Sequence, residues 1–161
     1  MTGLGLLVLR ITIAAVCMTH GAHKLFGLGA GTGAGPGGLT NTAAKFTDIG
    51  LSPGFVLAVL AGLTQFVGGA LVGVGFLTRW AAMALAGYFI IGIWKEHAQW
   101  GFFLNWARDP TWGNGYEYAL VLLAGLACLT LTGGGEWSLD GRREASAESR
   151  AAGRARLTRH G

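Results

Sequence analysis

At 161 residues, with 12 Lys and Arg against 8 Asp and Glu, the chain is small and mildly basic, with room for one compact unit and one small buried site. Its apolar content of 52% barely exceeds that of soluble proteins, so the placement of charge carries the information. Charges gather around Lys45 and Asp48, between Lys95 and Asp109, and after Glu136, where Arg142, Arg143, Arg150, Arg154, Arg156 and Arg159 form a basic tail. That tail fits a topology signal and excludes a folded nucleic-acid module.

Four uncharged or nearly uncharged stretches, residues 4–26, 55–77, 80–98 and 116–131, meet or approach the roughly 20 residues that a helix needs to cross a bilayer. None alternates as barrel strands do. The expected fold class is therefore all-α: an integral membrane bundle of four transmembrane helices over residues 1–140, with a disordered basic tail over 141–161. Lys and Arg are retained on cytoplasmic flanks, so Arg79 and the tail place both termini inside. The six tryptophans suit the headgroup layers, Trp80 and Trp137 on the inner face and Trp94, Trp100, Trp106 and Trp112 on the outer. The first apolar run is expected to stay as a helix, because Arg10 interrupts it and no clean cleavage site follows.

On that first helix Arg10, Cys17, His20 and Lys24 fall near one stripe, with His23 beside it. The glycine-rich segment 27–38 has linker composition; no strand precedes it and no Lys-Ser/Thr follows, which argues against a phosphate loop. Residues 40–49 suit a short outer-surface helix, stopped by Gly50 and followed by Ser52 and Pro53 ahead of the second span. In that span Gly62, Gln65 and Gly69 share a face, Gly68 adjoins it, and Gly69 with Gly73 makes a small-xxx-small pair for close helix packing or for a homo-oligomer. Helical side chains lean toward their own amino terminus, so Gln65 is expected to meet His20, and Arg10 to snorkel toward inner headgroups or loop carbonyls.

The outer helix ends collect His20, His23, Lys24, Lys95, Glu96, His97 and Glu117. Such a polar cup suits proton movement for a bound quinone or phenol, with His20, Glu96 and Glu117 as the acid–base groups and His20, His23, Lys24 and Gln65 as contacts to the ligand. The competing reading is an interfacial network that only joins helix ends. A dedicated metal is not expected, since no ligand spacing such as HExxH occurs. Cys17 and Cys128, about 20 Å and about 6 Å above the inner boundary at the helical rise, lie too far apart for a disulfide.

The frame LRITIAAVCMTHGAHKLFG, the turn GLSPGF, the block TQFVGGALVGVGFLTRWAA, the start GYEYALVLLAG and the exit GGGEWSLD occur here in the order found in a known family. The chain resembles the DoxX family of small four-helix bacterial membrane proteins. That resemblance implies a multi-pass inner-membrane protein linked to quinone, phenol or sulfur redox stress, since relatives include a subunit of thiosulfate:quinone oxidoreductase and partners of superoxide dismutase and a sulfurtransferase. Arg10, Gly21, Lys24, Gly68, Gly69, Gly75, Thr78, Arg79 and Glu117 match the family frame, whereas Gln65 stands where members commonly carry Glu. No haem pair, flavin or nicotinamide fingerprint, cysteine cluster or CxxC is present, so a redox role implies a membrane quinone, soluble redox enzymes or a second membrane subunit. The alternative is a non-catalytic anchor or scaffold that recruits such enzymes.

Overall fold

A computed structural model describes residues 2–30 and 35–157, and every regular element among them is helical. They are α1 (Thr2–Phe26), α2 (Leu39–Asp48), α3 (Gly54–Val74), α4 (Thr78–Gly92), α5 (Glu117–Thr132) and α6 (Leu139–Leu157). A π turn over Ile93–His97 and a 3-10 turn over Ala98–Trp100 prolong α4. Two helices, α1 and α3, are long and apolar enough by themselves to cross a membrane; α5 is apolar but shorter. Exposed Leu4, Val8, Ile11, Leu63, Val67, Met83, Ile90, Leu120 and Val121 coat α1, α3, α4 and α5 with hydrocarbon. Such a perimeter suits lipid, because an aqueous face would be polar.

The main seam joins α1 and α3 in antiparallel register. A Cβ on Gly62 would strike Leu25, one on Gly21 would enter the Phe66 backbone, one on Gly69 would crowd Cys17 and Met18, and one on Gly73 would touch Ala14. Glycine at these positions lets two helix backbones approach more closely than any side chain allows. Gly68 turns to the other side, against Leu85 of α4. Ile13, Cys17, Val72, Leu85, Phe89, Leu122 and Leu126 then close a core shared by α1, α3, α4 and α5. Helix α2 is amphipathic and lays Phe46 on Ala58 and Ala61 of α3. Cys17 and Cys128 are both free thiols.

The end of the bundle carrying Thr2 and α6 is locked by polar contacts. Arg10 is 1% exposed; its Nη2 donates to the carbonyl of Trp137 at 3.0 Å and its Nη1 to that of Gly73 at 3.4 Å. The guanidinium thus reaches a loop carbonyl, as the sequence suggests, but stays buried because the exit loop folds beneath it. Gly75 ends α3 at φ 72°, and a side chain there would collide with Arg10 and Ser138. Ser138 caps α6 by accepting the Gly141 N–H at 2.9 Å. Two residues on, Asp140 caps a different helix: its carboxylate accepts the N–H of Leu77 at 3.0 Å and both the N–H and the hydroxyl of Thr78 at 2.8 Å. This holds Leu77 in the left-handed region at φ 49°, where a branched side chain is strained.

Of the basic tail, expected from composition to be disordered over 141–161, residues 141–157 belong to helix α6, and 158–161 lie outside the described residues. Its Ala, Arg and Glu are good helix formers, and the Ser138 cap supplies a start. Consistent with having nothing to bury, residues 142–152 are exposed.

Two outcomes follow from the seam and the lock. Gly69→Leu should lower stability by about 1–3 kcal/mol, seen as a reduced Tm in detergent, because Cys17 and Met18 already stand 3.0 Å from the site of a Cβ. An unchanged Tm would show that this face is not a packing seam. Burial raises the Asp140 pKa, but the N–H and hydroxyl of Thr78, the N–H of Leu77 and Arg143 outweigh it and hold the carboxyl below its usual value. The unfolded chain therefore binds this proton more readily, so the cap contributes fully above about pH 4 and is lost as pH falls through the lower folded value. Asp140→Ala should cost about 1 kcal/mol at neutral pH and flatten the acid limb of the stability profile.

Candidate functional site

At the opposite end, where the two long connections lie, the structure distributes the expected cup among separate tasks. His23 closes the α1–α2 connection: its Nδ1 pairs with the Leu28 carbonyl at 2.9 Å, and its own carbonyl accepts the N–H groups of Gly27 and Gly38. Glu117 organises residues 101–116, accepting the Leu104 N–H at 3.0 Å and the Trp106 indole N–H at 3.2 Å. His97 adds a bond to the Asn114 carbonyl at 2.8 Å. Asn105 and Asp109 stitch the same loop, and the hydroxyl and N–H of Thr111 hold the Asp109 carboxyl below its ordinary pKa. Trp112 of this loop meets Trp100 edge to face at a ring separation of 5.6 Å.

The expected meeting of His20 with Gln65 does not occur. Gly21, the next residue on α1, occupies the seam with α3, which turns His20 toward Tyr118 of α5 at a ring separation of 6.4 Å. Gln65 is 2% exposed, and its Oε1 has no hydrogen-bond partner. The stripe along α1 therefore splits: Arg10, Cys17 and Lys24 turn inward, and His20 does not.

One group does converge. The Lys24 ammonium lies 5.7 Å above the Tyr88 ring, and Lys45 of α2 forms an ion pair with Glu96 of the π turn. Tyr88, Lys95 and Glu96 line the polar rim of a cavity of about 440 Å³ between α2, α3 and α4. The remaining wall is mainly apolar, with Phe46 and Ile49 from α2, Leu57 and Leu60 from α3, and Ile91 from α4. Small residues open this space: Ala61 and Thr64 face Ala84 and Gly87, and a Cβ on Gly87 would meet nothing within 4 Å. The π turn matters here because its wider winding rotates Lys95 and Glu96 relative to a regular helix. An apolar cavity of this volume with a few polar groups at one end is the usual form of a small-molecule site. Among the described residues, no group of three His, Cys, Asp or Glu side chains is placed to hold a metal ion.

Tyr88 and Lys45 were not legible as site residues. Both belong to elements whose contact depends on how α2 docks, and the only local trace is the run of small residues at Ala84 and Gly87.

The DoxX family model matches residues 5–98, more than half of the chain. The protein belongs to the DoxX family. It is thus a membrane protein, and the exposed apolar perimeter of its helices is the face it turns to lipid. No curated protein and no solved structure matches it. The DoxX match runs from α1 through the π turn, so it contains Lys24, Tyr88, Glu96 and the cavity, while Glu117 and α6 lie beyond it.

Glu117→Ala should release the Leu104 N–H and the Trp106 indole, accelerating hydrogen exchange across residues 101–106 while shifting the bundle Tm little. Retained protection at Leu104 would show that the loop is held by its backbone contacts alone.

Proposed function

We propose that this DoxX protein is a four-span subunit of a bacterial inner-membrane oxidoreductase that holds a quinone or a related phenol in the cavity between α2, α3 and α4. The observation that carries this reading is the cavity itself: apolar along its length, polar at one rim and walled by a helix face stripped of side chains at Gly87. A ring with a greasy tail matches that division. Thr78 to His97, taken through the π turn, measures about 30 Å at the helical rise, which supports α4 as a third span. Helix α5, at 16 residues, spans about 24 Å and would complete the crossing with its ordered aromatic loop at the headgroup level. Arg79 and the α6 arginines at one end support cytoplasmic termini.

A bound quinone would supply a carrier for two electrons and two protons. The chain's part is to bind and orient it. The Lys95 ammonium and the Tyr88 hydroxyl can donate hydrogen bonds to ring oxygens, Lys24 sets its charge over the Tyr88 ring, and Glu96, tied to Lys45, can accept a proton at the rim. His20 stands on the α5 side, away from this rim, and is assigned no contact with the ligand in this reading. Electrons would come from a partner, either a soluble enzyme or a second membrane subunit.

The scaffold reading is favoured by one feature, the exposed helix α6, which offers a surface to soluble enzymes. Native extraction followed by mass spectrometry separates the two readings. Quinone should copurify with the wild-type protein and fall at least severalfold in Gly87→Leu, which fills open space and should leave Tm unchanged. Soluble partners retained by both proteins, with quinone in neither, would establish the scaffold instead.

A further inference from the structure

A second cleft, of about 560 Å³, opens at the other end of the bundle between the start of α4, the loop after α5 and α6. It begins three residues past the apolar span Gly54–Val74, and Trp80, 70% exposed, stands at its edge. Those positions put it at headgroup depth, where indoles gather. Asp140 already fills the amino terminus of α4, so the helix end is not what the cleft offers.

What it offers is charge of both signs that closes no ion pair across the space. Arg79, Arg143, Glu144 and Glu148 all line it, yet among the described residues the one ion pair is Lys45 with Glu96 at the far end of the bundle. Arg79 makes a single long contact, 3.4 Å to the Thr130 carbonyl, and Arg143 rests its guanidinium 4.8 Å from the centre of the Phe76 ring. Glu136 and Asp140 line it too, and the Asp140 carboxylate is taken up by Leu77 and Thr78. Two arginines and the other carboxylates that face one space without closing an ion pair match a ligand that is itself a zwitterion. We propose that this cleft binds the headgroup of a phospholipid carrying a phosphate and a primary amine, with the phosphate on Arg79 and Arg143 and the ammonium on Glu144 and Glu148. A planar guanidinium suits phosphate oxygens, and a primary ammonium brings three donors to the carboxylates. An anionic headgroup without an amine would leave Glu144 and Glu148 facing like charge. This site is independent of the cavity that holds the redox ligand.

The test uses the full chain in detergent, read by native mass spectrometry against equimolar dioleoyl phosphatidylethanolamine, phosphatidylcholine and phosphatidylglycerol. Phosphatidylethanolamine should be retained about fivefold over phosphatidylglycerol, as expected from two partly screened charge contacts. A Glu144→Lys, Glu148→Lys variant, altered only at exposed positions, should fold normally and invert that preference. Equal retention of the three lipids by the wild type, or a preference that survives the charge reversal, would overturn the proposal. Displacement of the lipid by soluble phosphoethanolamine at matching concentration would overturn the lipid assignment and make the occupant a free zwitterion.

Discussion

A guanidinium buried among packed helices has to be met by oxygen atoms, and in this protein that requirement shapes one whole end of the bundle. Arg10 finds the carbonyl of Trp137 and, more weakly, that of Gly73, so residues from α1, α3 and the exit loop must converge on one point. The convergence leaves no volume for a side chain at position 75, and the same crowding sets Ser138 against the α3–α4 turn. Once Ser138 is placed, α6 starts in a fixed direction, and Asp140 arrives at the amino terminus of α4. Removing an oxygen from this arrangement strands a charge, which costs far more than the net worth of the contact. The glycine at 75 and the threonine at 78, which resemblance alone marks as family positions, are thereby explained by packing and capping.

The two ends of the molecule answer different demands. Glycines 21, 62, 69 and 73 draw α1 and α3 together from Leu25 down to Ala14, while on the far side of α3 small residues meet small residues and leave a gap toward α4. Packing that is tight on one face of a helix and open on the other requires something to cover the opening, and α2 does so by burying Phe46 against Ala58 and Ala61. The Lys45 pair with Glu96 spans from that cover to the π turn. Both partners are partly exposed, so the pair fixes register more than it adds stability. A locked end and a covered hollow end are the physical division of labour within the bundle.

Much of this was legible in the sequence because hydrocarbon imposes a simple rule: long uncharged runs must be helical. The helices emerged from that rule, and α2 from the stop at Gly50 and the restart at Pro53. Rotation about a helix axis was less legible. A stripe drawn through Arg10, Cys17, His20 and Lys24 tolerates an error of one position, and one position is about 100° of turn. Gly21, having no side chain, gave no sign that it and not His20 faced α3. The expected cup divides for a related reason: charged residues at helix ends look alike in sequence, whether they meet a ligand or tie down a loop. Glu117 and His97 do the second, and only the fold of residues 101–116 reveals it.

Gln65 limits where this chain can do acid–base work. The resemblance to the family implies a carboxylic acid at this position, whereas the neutral amide here is buried with its Oε1 unpartnered. An amide does not titrate in water's range, so the middle of the bundle holds no proton-exchanging group on α3. Arg10, the nearest buried cation toward the opposite end, is effectively always charged. In the proposed quinone reading, proton traffic near the ligand falls to the rim formed by Tyr88, Lys95 and Glu96, with Lys24 set over the Tyr88 ring. That rim lies between α2 and the π turn, elements inside the family match, so the proposed site belongs to the part of the chain that the DoxX family shares.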